Sequence, residues 1–214
     1  MPDLYADRPL RAYLDDAASG RPTPGGGSVS ALAGALGTTM AAMAANFTVG
    51  KKKFAAVEPA CRAVLDECET ARNELLALAD EDTQAYGSVA KAYAMPKDTD
   101  AEKAARAEAI QGALYIAMDV PLRAFRLCAR VCDQLAELAQ IANPNLISDV
   151  GVAAIIVLAG LEGSKLNVEI NLASLNDQAF VEDIREEINQ TRARCRDAAL
   201  AVFEEVRHRV GATD

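Results

Sequence analysis

Apolar residues recur at helical spacing along most of the chain, and no long stretch shows the strict alternation that is typical of a β-strand. The clearest helical period lies within residues 59–93, which begin with a proline that suits the first turn of a helix. Its apolar positions are Val64, Leu65, Cys68, Ala71, Leu75 and Leu78. The pattern therefore predicts an all-α protein with at least one long helix.

Signals for helix ends divide the rest of the chain. Asp7 is placed to cap a first helix that Gly20 and Pro22 close. Thr99 and Glu102 have the spacing of a capping box, in which each side chain accepts a hydrogen bond from the other residue's backbone N–H. A further helix should therefore start at this point, after a loop over residues 95–98.

Prolines and asparagines mark the later boundaries. Pro121 is expected to kink or interrupt the helix that the capping box starts. Residues 141–146 form the next break, and Ser148 with Asp149 opens an apolar helix after it. Asn176 is expected to cap a last helix that runs to about residue 210. The chain, residues 1–214, thus reads as a single domain, a bundle of about six to eight helices, several of them long.

Residues 22–50 carry no charge and are dominated by alanine, glycine and other small residues. The run is long enough to cross a bilayer, but its serines, threonines and few bulky side chains are untypical of a transmembrane helix. We predict instead a small-residue central helix that other backbones approach closely and that Gly50 ends. The second uncharged run, residues 150–161, is predicted to be a buried helix.

The composition supports helices and restricts the partners. The 214-residue chain is 51% hydrophobic, only 5% aromatic and free of tryptophan, which favours alanine-rich helices over sheet. Its formal net charge of −9 argues against a nucleic-acid surface and against binding to anionic membranes. A local group of lysines in such an acidic chain suits a small anion better than a polymer.

The five cysteines are odd in number and lie within helical patterns, and no signal peptide precedes them, so we expect a reduced, cytoplasmic protein. Cys128 and Cys132 are four apart on a helix but lack further ligands, because His208 is the only histidine. We therefore expect no metal site. A single histidine also disfavours Ser-His-Asp and Cys-His catalysis, which leaves acid–base chemistry to carboxylates, lysines or bound water.

Two clusters flank the small-residue helix. The first, the glycine loop, consists of Pro24, Gly25, Gly26, Gly27 and Ser28. It would present bare backbone N–H groups near the positive end of a helix dipole. The second, the lysine cluster, consists of Lys51, Lys52 and Lys53. Together they suit an elongated anionic ligand; the alternative is a tightly packed core helix with a solvated basic end.

Other candidates are polar residues in otherwise apolar helical surroundings. Asp82 suits acid–base or electrostatic chemistry, with a solvated surface acid as the alternative. Asp149 is a further candidate, with stabilisation of a helix N-terminus as the alternative. Asn167 and Asn171, four apart on one helix face, would also form a hydrogen-bond ladder between helices. Arg106 would most often be a surface residue.

Six motifs follow one another along residues 5–205. They are Pro22-Thr-Pro-Gly-Gly-Gly-Ser, Thr48-Val-Gly-Lys-Lys-Lys-Phe, Pro96-Lys-Asp-Thr with Arg106, Val120-Pro-Leu, Asn143-Pro-Asn-Leu-Ile-Ser-Asp149 and Asn167-Val-Glu-Ile-Asn-Leu. In this order they resemble the formiminotransferase-cyclodeaminase C-terminal-domain family. The resemblance covers nearly the whole chain, and the combination of motifs is specific although each motif alone is weak.

The resemblance implies a helical homodimer that binds a tetrahydrofolate substrate near the subunit interface and acts on a one-carbon unit between N5 and N10. Asp82 would stabilise the cationic carbon or deprotonate water, with Lys51 as a second catalytic candidate. The anionic glutamate tail suits the lysine cluster or the N–H groups of the glycine loop. Neither a metal nor a redox cofactor is needed. The substrate-binding positions would be the glycine loop, Lys52, Lys53, Arg106, Asn143, Asn145, Asp149, Asn167 and Asn171.

Two reactions occur in this family. A cyclohydrolase reversibly adds water to 5,10-methenyltetrahydrofolate to give 10-formyltetrahydrofolate; a cyclodeaminase closes the same ring by releasing ammonia from 5-formimidoyltetrahydrofolate. The segments Gly-Lys-Lys-Lys, Asp-Val-Pro-Leu and Leu-Ile-Ser-Asp-Val-Gly-Val-Ala resemble the stand-alone bacterial cyclohydrolases. The absence of a fused formiminotransferase domain favours the same choice. A non-enzymatic helical module that dimerises and binds folate is the alternative of another class.

Overall fold

Six α-helices make up the computed structural model, which describes residues 4–211, and no strand occurs among these residues. The helices are α1 (Leu10–Ala17), α2 (Gly26–Asn46), α3 (Glu58–Tyr93), α4 (Asp100–Ile141), α5 (Ile147–Leu172) and α6 (Gln178–Arg209). Short 3-10 turns lie at Tyr5–Asp7, Lys52–Phe54 and Pro144–Leu146. The all-α prediction and the number of helices are confirmed.

The predicted start signals of α3 and α4 act as expected. Pro59 lies in the first turn of α3. At the start of α4, the Thr99 hydroxyl accepts from the Glu102 backbone N–H (3.2 Å), and the Glu102 carboxylate accepts from the Thr99 N–H (2.8 Å). Pro121 lies inside a continuous α4, so of the two predicted outcomes the interruption does not occur and the kink stays a prediction. The lost hydrogen bond is offset by the buried packing of the proline and its neighbours.

Three predicted helix ends are displaced. Asp7 lies in a 3-10 turn instead of capping α1. Helix α2 ends at Asn46, and Gly50, with a φ of 73°, turns the chain four residues later. The cap of α6 is Asp177, not Asn176, because the Asp177 carboxylate accepts from the backbone N–H three residues on (3.1 Å). Each displacement is short and leaves the helix order unchanged.

Helices α2 and α5 pack together, antiparallel, at the centre of the bundle. A Cβ built on Gly160 of α5 would lie 2.6 Å from the backbone N of Gly34, and one on Gly37 would lie 2.6 Å from the backbone N of Val157. Real Cβ atoms do not approach backbone so closely, so these positions need glycine. The small-residue composition of residues 22–50 is thus explained by a close contact between two helices.

The other long helices surround this pair. The largest fully buried side chains include Leu75 of α3, Phe125 and Leu135 of α4, Leu161 of α5 and Ile188 of α6. By length and composition, Gly26–Asn46 and Pro144–Leu172 are apolar enough to cross a membrane, and 61% and 44% of these windows are buried inside the molecule. The predicted buried helix over residues 150–161 is confirmed, whereas α5 also keeps a large uncovered apolar face.

Candidate functional site

A cleft of about 430 Å³ lies where the start of α2 meets α3, α4 and the end of α5. Three of the predicted groups, the glycine loop, Asp82 and the asparagine pair, meet at this point. The antiparallel α2 and α5 bring residues 25–27 beside residues 167–171. The residues that carry its chemistry are Gly26, Gly27, Asp82, Tyr86, Asn167 and Asn171. Most of its remaining lining is apolar, including Leu114 and Ile170. Such a cleft has the size and character of a small-molecule site.

Asp82 lies against the first turn of α2. Its Oδ2 accepts a hydrogen bond from the Ser28 backbone N–H at 2.9 Å. A Cβ on Gly27 would lie 2.1 Å from Oδ1 of the same carboxylate, so only glycine leaves room for it. The anion at this helix N-terminus is therefore the protein's own carboxylate, stabilised by one backbone amide and by the helix dipole.

The surroundings of Asp82 alter its acidity. Burial raises the pKa of the carboxyl above its ordinary value, and the hydrogen bond from the Ser28 N–H opposes this shift. Among the residues that line the cleft, all of which lie in the described part of the chain, Asp82 alone carries a formal charge. A carboxylate in a largely apolar cleft attracts a cation strongly and is placed to accept a proton.

The two asparagines of α5 hold different positions. Asn167 Nδ2 donates to the Gly163 carbonyl at 2.8 Å, and its amide faces Gly26, where a Cβ would lie 3.3 Å from Nδ2. Asn171 Nδ2 donates to the Asn167 carbonyl (2.8 Å) and to the Ala117 carbonyl of α4 (3.2 Å). Asn171 thus joins two helices, and both asparagines line the cleft.

Two tyrosines of α3 line the cleft and were missed by the sequence analysis. Tyr86 and Tyr93 are about half exposed and lie on the same side of α3 as Asp82 and Val89. These four residues follow the spacing i, i+4, i+7 and i+11, which places them on one helix face. That spacing was a usable signal, because an acid and two aromatic residues on one face suggest a site for a flat, electron-poor ligand.

Arg106 lies beside the rim of the cleft. Its Nε and Nη2 donate to the Tyr93 carbonyl at 3.3 and 3.0 Å, and the guanidinium lies 5.6 Å from the Tyr93 ring centre. It therefore connects the start of α4 to the end of α3. Pro24 and Ser28, the two ends of the glycine loop, are not among the residues that line the cleft. Pro24 is buried, and the Ser28 hydroxyl is hydrogen-bonded to the buried Tyr13 hydroxyl at 3.0 Å.

The remaining predicted residues lie at the other end of α2, and we call them the opposite-end group. They are Lys51, Lys52, Lys53, Asn143, Asn145 and Asp149. The 21 residues of α2 span about 30 Å, so one chain does not bring this group to the cleft. The lysines are exposed, the Asn143 side chain caps the Pro144–Leu146 turn, and Asp149 lies in the first turn of α5.

The described residues contain no group of three or more histidine, cysteine or acidic side chains arranged to hold a metal ion. All five cysteines are buried and unpaired in disulfides. Burial raises the pKa of Cys68 and of Cys128 to about 12, so these thiols are unreactive at neutral pH. Cys68 and Cys128 therefore act as small core residues.

Comparisons with known proteins show which family and which proteins this chain is similar to. The model of the formiminotransferase-cyclodeaminase family matches residues 9–190. A methenyltetrahydrofolate cyclohydrolase from Methylorubrum extorquens is 41% identical over 97% of this chain and 100% of its own. A formimidoyltransferase-cyclodeaminase from Rattus norvegicus is 32% identical over 92% of this chain, which spans 36% of that longer protein. The crystal structure of a formiminotetrahydrofolate cyclodeaminase from Thermotoga maritima covers 95% of this chain and 96% of its own at 32% identity, with a TM-score of 0.78.

Proposed function

Because the chain belongs to the formiminotransferase-cyclodeaminase family, we propose that it is a methenyltetrahydrofolate cyclohydrolase. The observation that carries the proposal is the 41% identity to a cyclohydrolase that matches this chain from end to end. The cleft fits the same chemistry, since its single charged side chain is a carboxylate and the substrate's reacting carbon is cationic.

The reaction needs a group that attracts a cation and takes up one proton. Water adds to the methenyl carbon, forming a C–O bond, and its proton passes to the Asp82 carboxylate. The added oxygen then becomes the formyl carbonyl as the bond from that carbon to N5 breaks, its remaining proton passes to N5, and the formyl group stays on N10. The proton on Asp82 is released to solvent, so one proton leaves per turnover. Asp82 therefore acts as electrostatic stabiliser and general base, with its Oδ2 held by the Ser28 N–H.

The rest of the cleft suits the flat rings of folate. Tyr86 and Tyr93 supply ring faces and edges for stacking on the pterin or the aminobenzoyl group. The oxygens of Asn167 and Asn171 accept hydrogen bonds from the pterin's amino and ring N–H groups. We also assign the glycine loop and Arg106 to substrate binding, and the opposite-end group to the anionic tail, with Lys51 as a second catalytic candidate.

A cyclodeaminase is the second candidate, and the Thermotoga maritima structure favours it, because that cyclodeaminase shares the fold and 32% of its aligned residues. Both reactions pass through the same bridged carbon, so one carboxylate serves either. We further propose a cytoplasmic homodimer as the functional form. A non-enzymatic folate-binding module would use the same cleft without turnover.

Separate incubations with two substrates distinguish these functions. Purified protein is mixed with 5,10-methenyltetrahydrofolate or with 5-formimidoyltetrahydrofolate, and 10-formyltetrahydrofolate and ammonia are measured against a protein-free control. A cyclohydrolase forms the formyl product from the first substrate without releasing ammonia from the second. Ammonia release assigns a cyclodeaminase. Binding without either product, seen as an increased melting temperature, assigns the non-enzymatic module.

A further inference from the structure

The segment before the glycine loop, residues 4–23, is attached to α3 by a buried acid. Asp80, only 5% exposed, accepts hydrogen bonds from the backbone N–H groups of Tyr5 (2.6 Å) and Ala6 (3.2 Å), as a buried carboxylate requires. Asp80 lies two residues before Asp82 on the same helix. The helix that carries the proposed catalytic acid therefore also fixes the position of the segment that leads into the glycine loop.

This attachment places the hydroxyl of Tyr13 beside the first turn of α2. Tyr13 is buried, and its ring packs edge to face with the Tyr5 ring, with 5.3 Å between the ring centres. Its hydroxyl is hydrogen-bonded to the Ser28 hydroxyl at 3.0 Å, and Ser28 is fully buried. Because a buried hydroxyl without a partner is unfavourable, this pair holds the Ser28 side chain in one position.

Ser28 connects Tyr13 to Asp82. Its backbone N–H donates to Asp82 Oδ2 at 2.9 Å. Burial raises the pKa of Asp82, and this hydrogen bond is the interaction that opposes the shift. The N–H belongs to the first turn of α2, where backbone donors have no partner within the helix. Since the side chain and the N–H of Ser28 belong to one residue, a fixed side chain also fixes the direction in which the N–H points.

Few titratable groups surround this connection in the described part of the chain. Burial raises the pKa of the Tyr13 hydroxyl, the hydrogen bond with Ser28 opposes this shift, and the charges of Asp82 and Asp80 raise the pKa further. Tyr13 thus stays a neutral hydroxyl within electrostatic reach of Asp82. On α3 the other such groups are Asp80, beside Tyr13, and the two cleft tyrosines. Helix α2 has no charged residue, and α4 and α5 contribute only uncharged side chains to the lining of the cleft.

We propose that Tyr13 is a positioning residue for the reaction: its hydroxyl holds Ser28 so that the Ser28 N–H keeps Asp82 ionised and in place. Tyr13 is not among the residues that line the cleft, so it acts through Ser28 without touching the substrate. The effect on turnover rests on the proposed function, whereas the support of the ionised carboxylate does not.

The effect on the reaction is tested by its pH dependence. Tyr13→Phe removes the hydroxyl and keeps the ring. Tyr5→Phe is the matched control, because it removes from the adjacent ring a hydroxyl that donates to Asp16. A weaker Ser28 hydrogen bond raises the Asp82 pKa, so the acid limb of kcat/KM for Tyr13→Phe should lie roughly 0.5 pH units above that of wild type and of Tyr5→Phe. A purely structural defect lowers activity equally at every pH, and an unshifted acid limb overturns the proposal.

The support of the ionised carboxylate is tested without substrate. Urea midpoints of wild type and Tyr13→Phe are measured at neutral pH and at a pH below the Asp82 pKa, each with and without Asp82→Asn. The Ser28 N–H stabilises the ionised carboxylate more than the neutral carboxyl, so Tyr13→Phe should lower the midpoint more at neutral pH.

The Asp82→Asn background identifies the titrating group. With Asp82→Asn present, the effect of Tyr13→Phe should be the same at both pH values, whereas titration of Asp80 would keep the difference. A pH-independent effect in the wild-type background, or a pH-dependent one that survives Asp82→Asn, overturns the proposal. If wild type shows no turnover while the pH-dependent difference is present, only the proposed function is contradicted.

Discussion

At the scale of single residues, the site depends on Gly27 having no side chain. The three glycines at 25–27 suggest N–H groups offered to a ligand, and that role stays a prediction. What the structure adds is that Gly27 leaves room for the Asp82 carboxylate, which accepts from the Ser28 N–H. One sequence cannot show this pairing, because the two residues are 54 positions apart and meet only when α2 packs on α3.

Substitution of Gly27 should therefore disable the carboxylate while the fold persists. In Gly27→Ala the new Cβ, 2.1 Å from Oδ1, must displace the Asp82 side chain, whose far end is able to move. We expect turnover to fall by about 10²-fold, since misplacing a catalytic group by an ångström has an effect of this size. Gly87→Ala is the control, because no atom lies within 4 Å of its Cβ, and it should keep full activity. Equal activity of the two variants would contradict the assignment.

The acidity of Asp82 predicts a pH dependence. Burial raises the pKa of Asp82 above the ordinary 3.8, and its ionised form is the active one. Turnover should therefore fall, as pH is lowered, at a higher pH than an ordinary aspartate would give. The folded protein also binds this proton more tightly than the unfolded chain, so the Asp82 contribution to the free energy of unfolding increases as pH falls through that range. When the free energy of unfolding is measured across this pH range, Asp82→Asn should lack this contribution. If the variant keeps the wild-type pH dependence, another group is responsible for it.

At the scale of helices, the close pairing of α2 and α5 sets the position of the cleft. It aligns the start of α2 with the asparagines near the end of α5, as shown by the contact between Gly26 and Asn167. Small residues at the crossing allow this approach. The sequence predicted a tightly packed small-residue helix but did not identify α5 as its neighbour. Glycine content indicates that another backbone approaches closely, but it does not indicate which helix that backbone belongs to.

A methyl group at the crossing tests how tightly these helices are held. In Gly160→Ala the Cβ would lie 2.6 Å from the Gly34 backbone N and 3.0 Å from the Ser30 carbonyl oxygen, neither of which moves without shifting α2. We expect a loss of about 1–3 kcal/mol in the free energy of unfolding, measured by urea denaturation. The control, Gly112→Ala, has no atom within 4 Å of its Cβ and should gain up to about 1 kcal/mol. If Gly160→Ala and wild type unfold at the same urea concentration, α2 and α5 do not pack as closely as described.

At the scale of the whole molecule, local signals gave most of the fold and less of the site. Helical periodicity and the Thr99–Glu102 capping box identified the helices, because both depend on neighbours within a few residues. The cap of α6 differs by one residue from the predicted one, because Asn176 and Asp177 are adjacent polar residues that are both able to cap a helix. The order of residues along the chain did not show that the lysine cluster lies far from Asp82. The 21 residues of α2 separate the cluster from the end of the helix that contacts Asp82.

Asp82 should give this cleft its cyclohydrolase activity. The direct test of this role is the rate of 10-formyltetrahydrofolate formation from 5,10-methenyltetrahydrofolate by wild type, Asp82→Asn and Glu69→Gln, the last being the same charge change at an exposed position of α3. We expect wild type and Glu69→Gln to be equally fast, and Asp82→Asn to be slower by about 10²-fold or more while remaining folded. Wild-type protein that fails to exceed the protein-free rate, or an Asp82→Asn variant as fast as wild type, would contradict the claim.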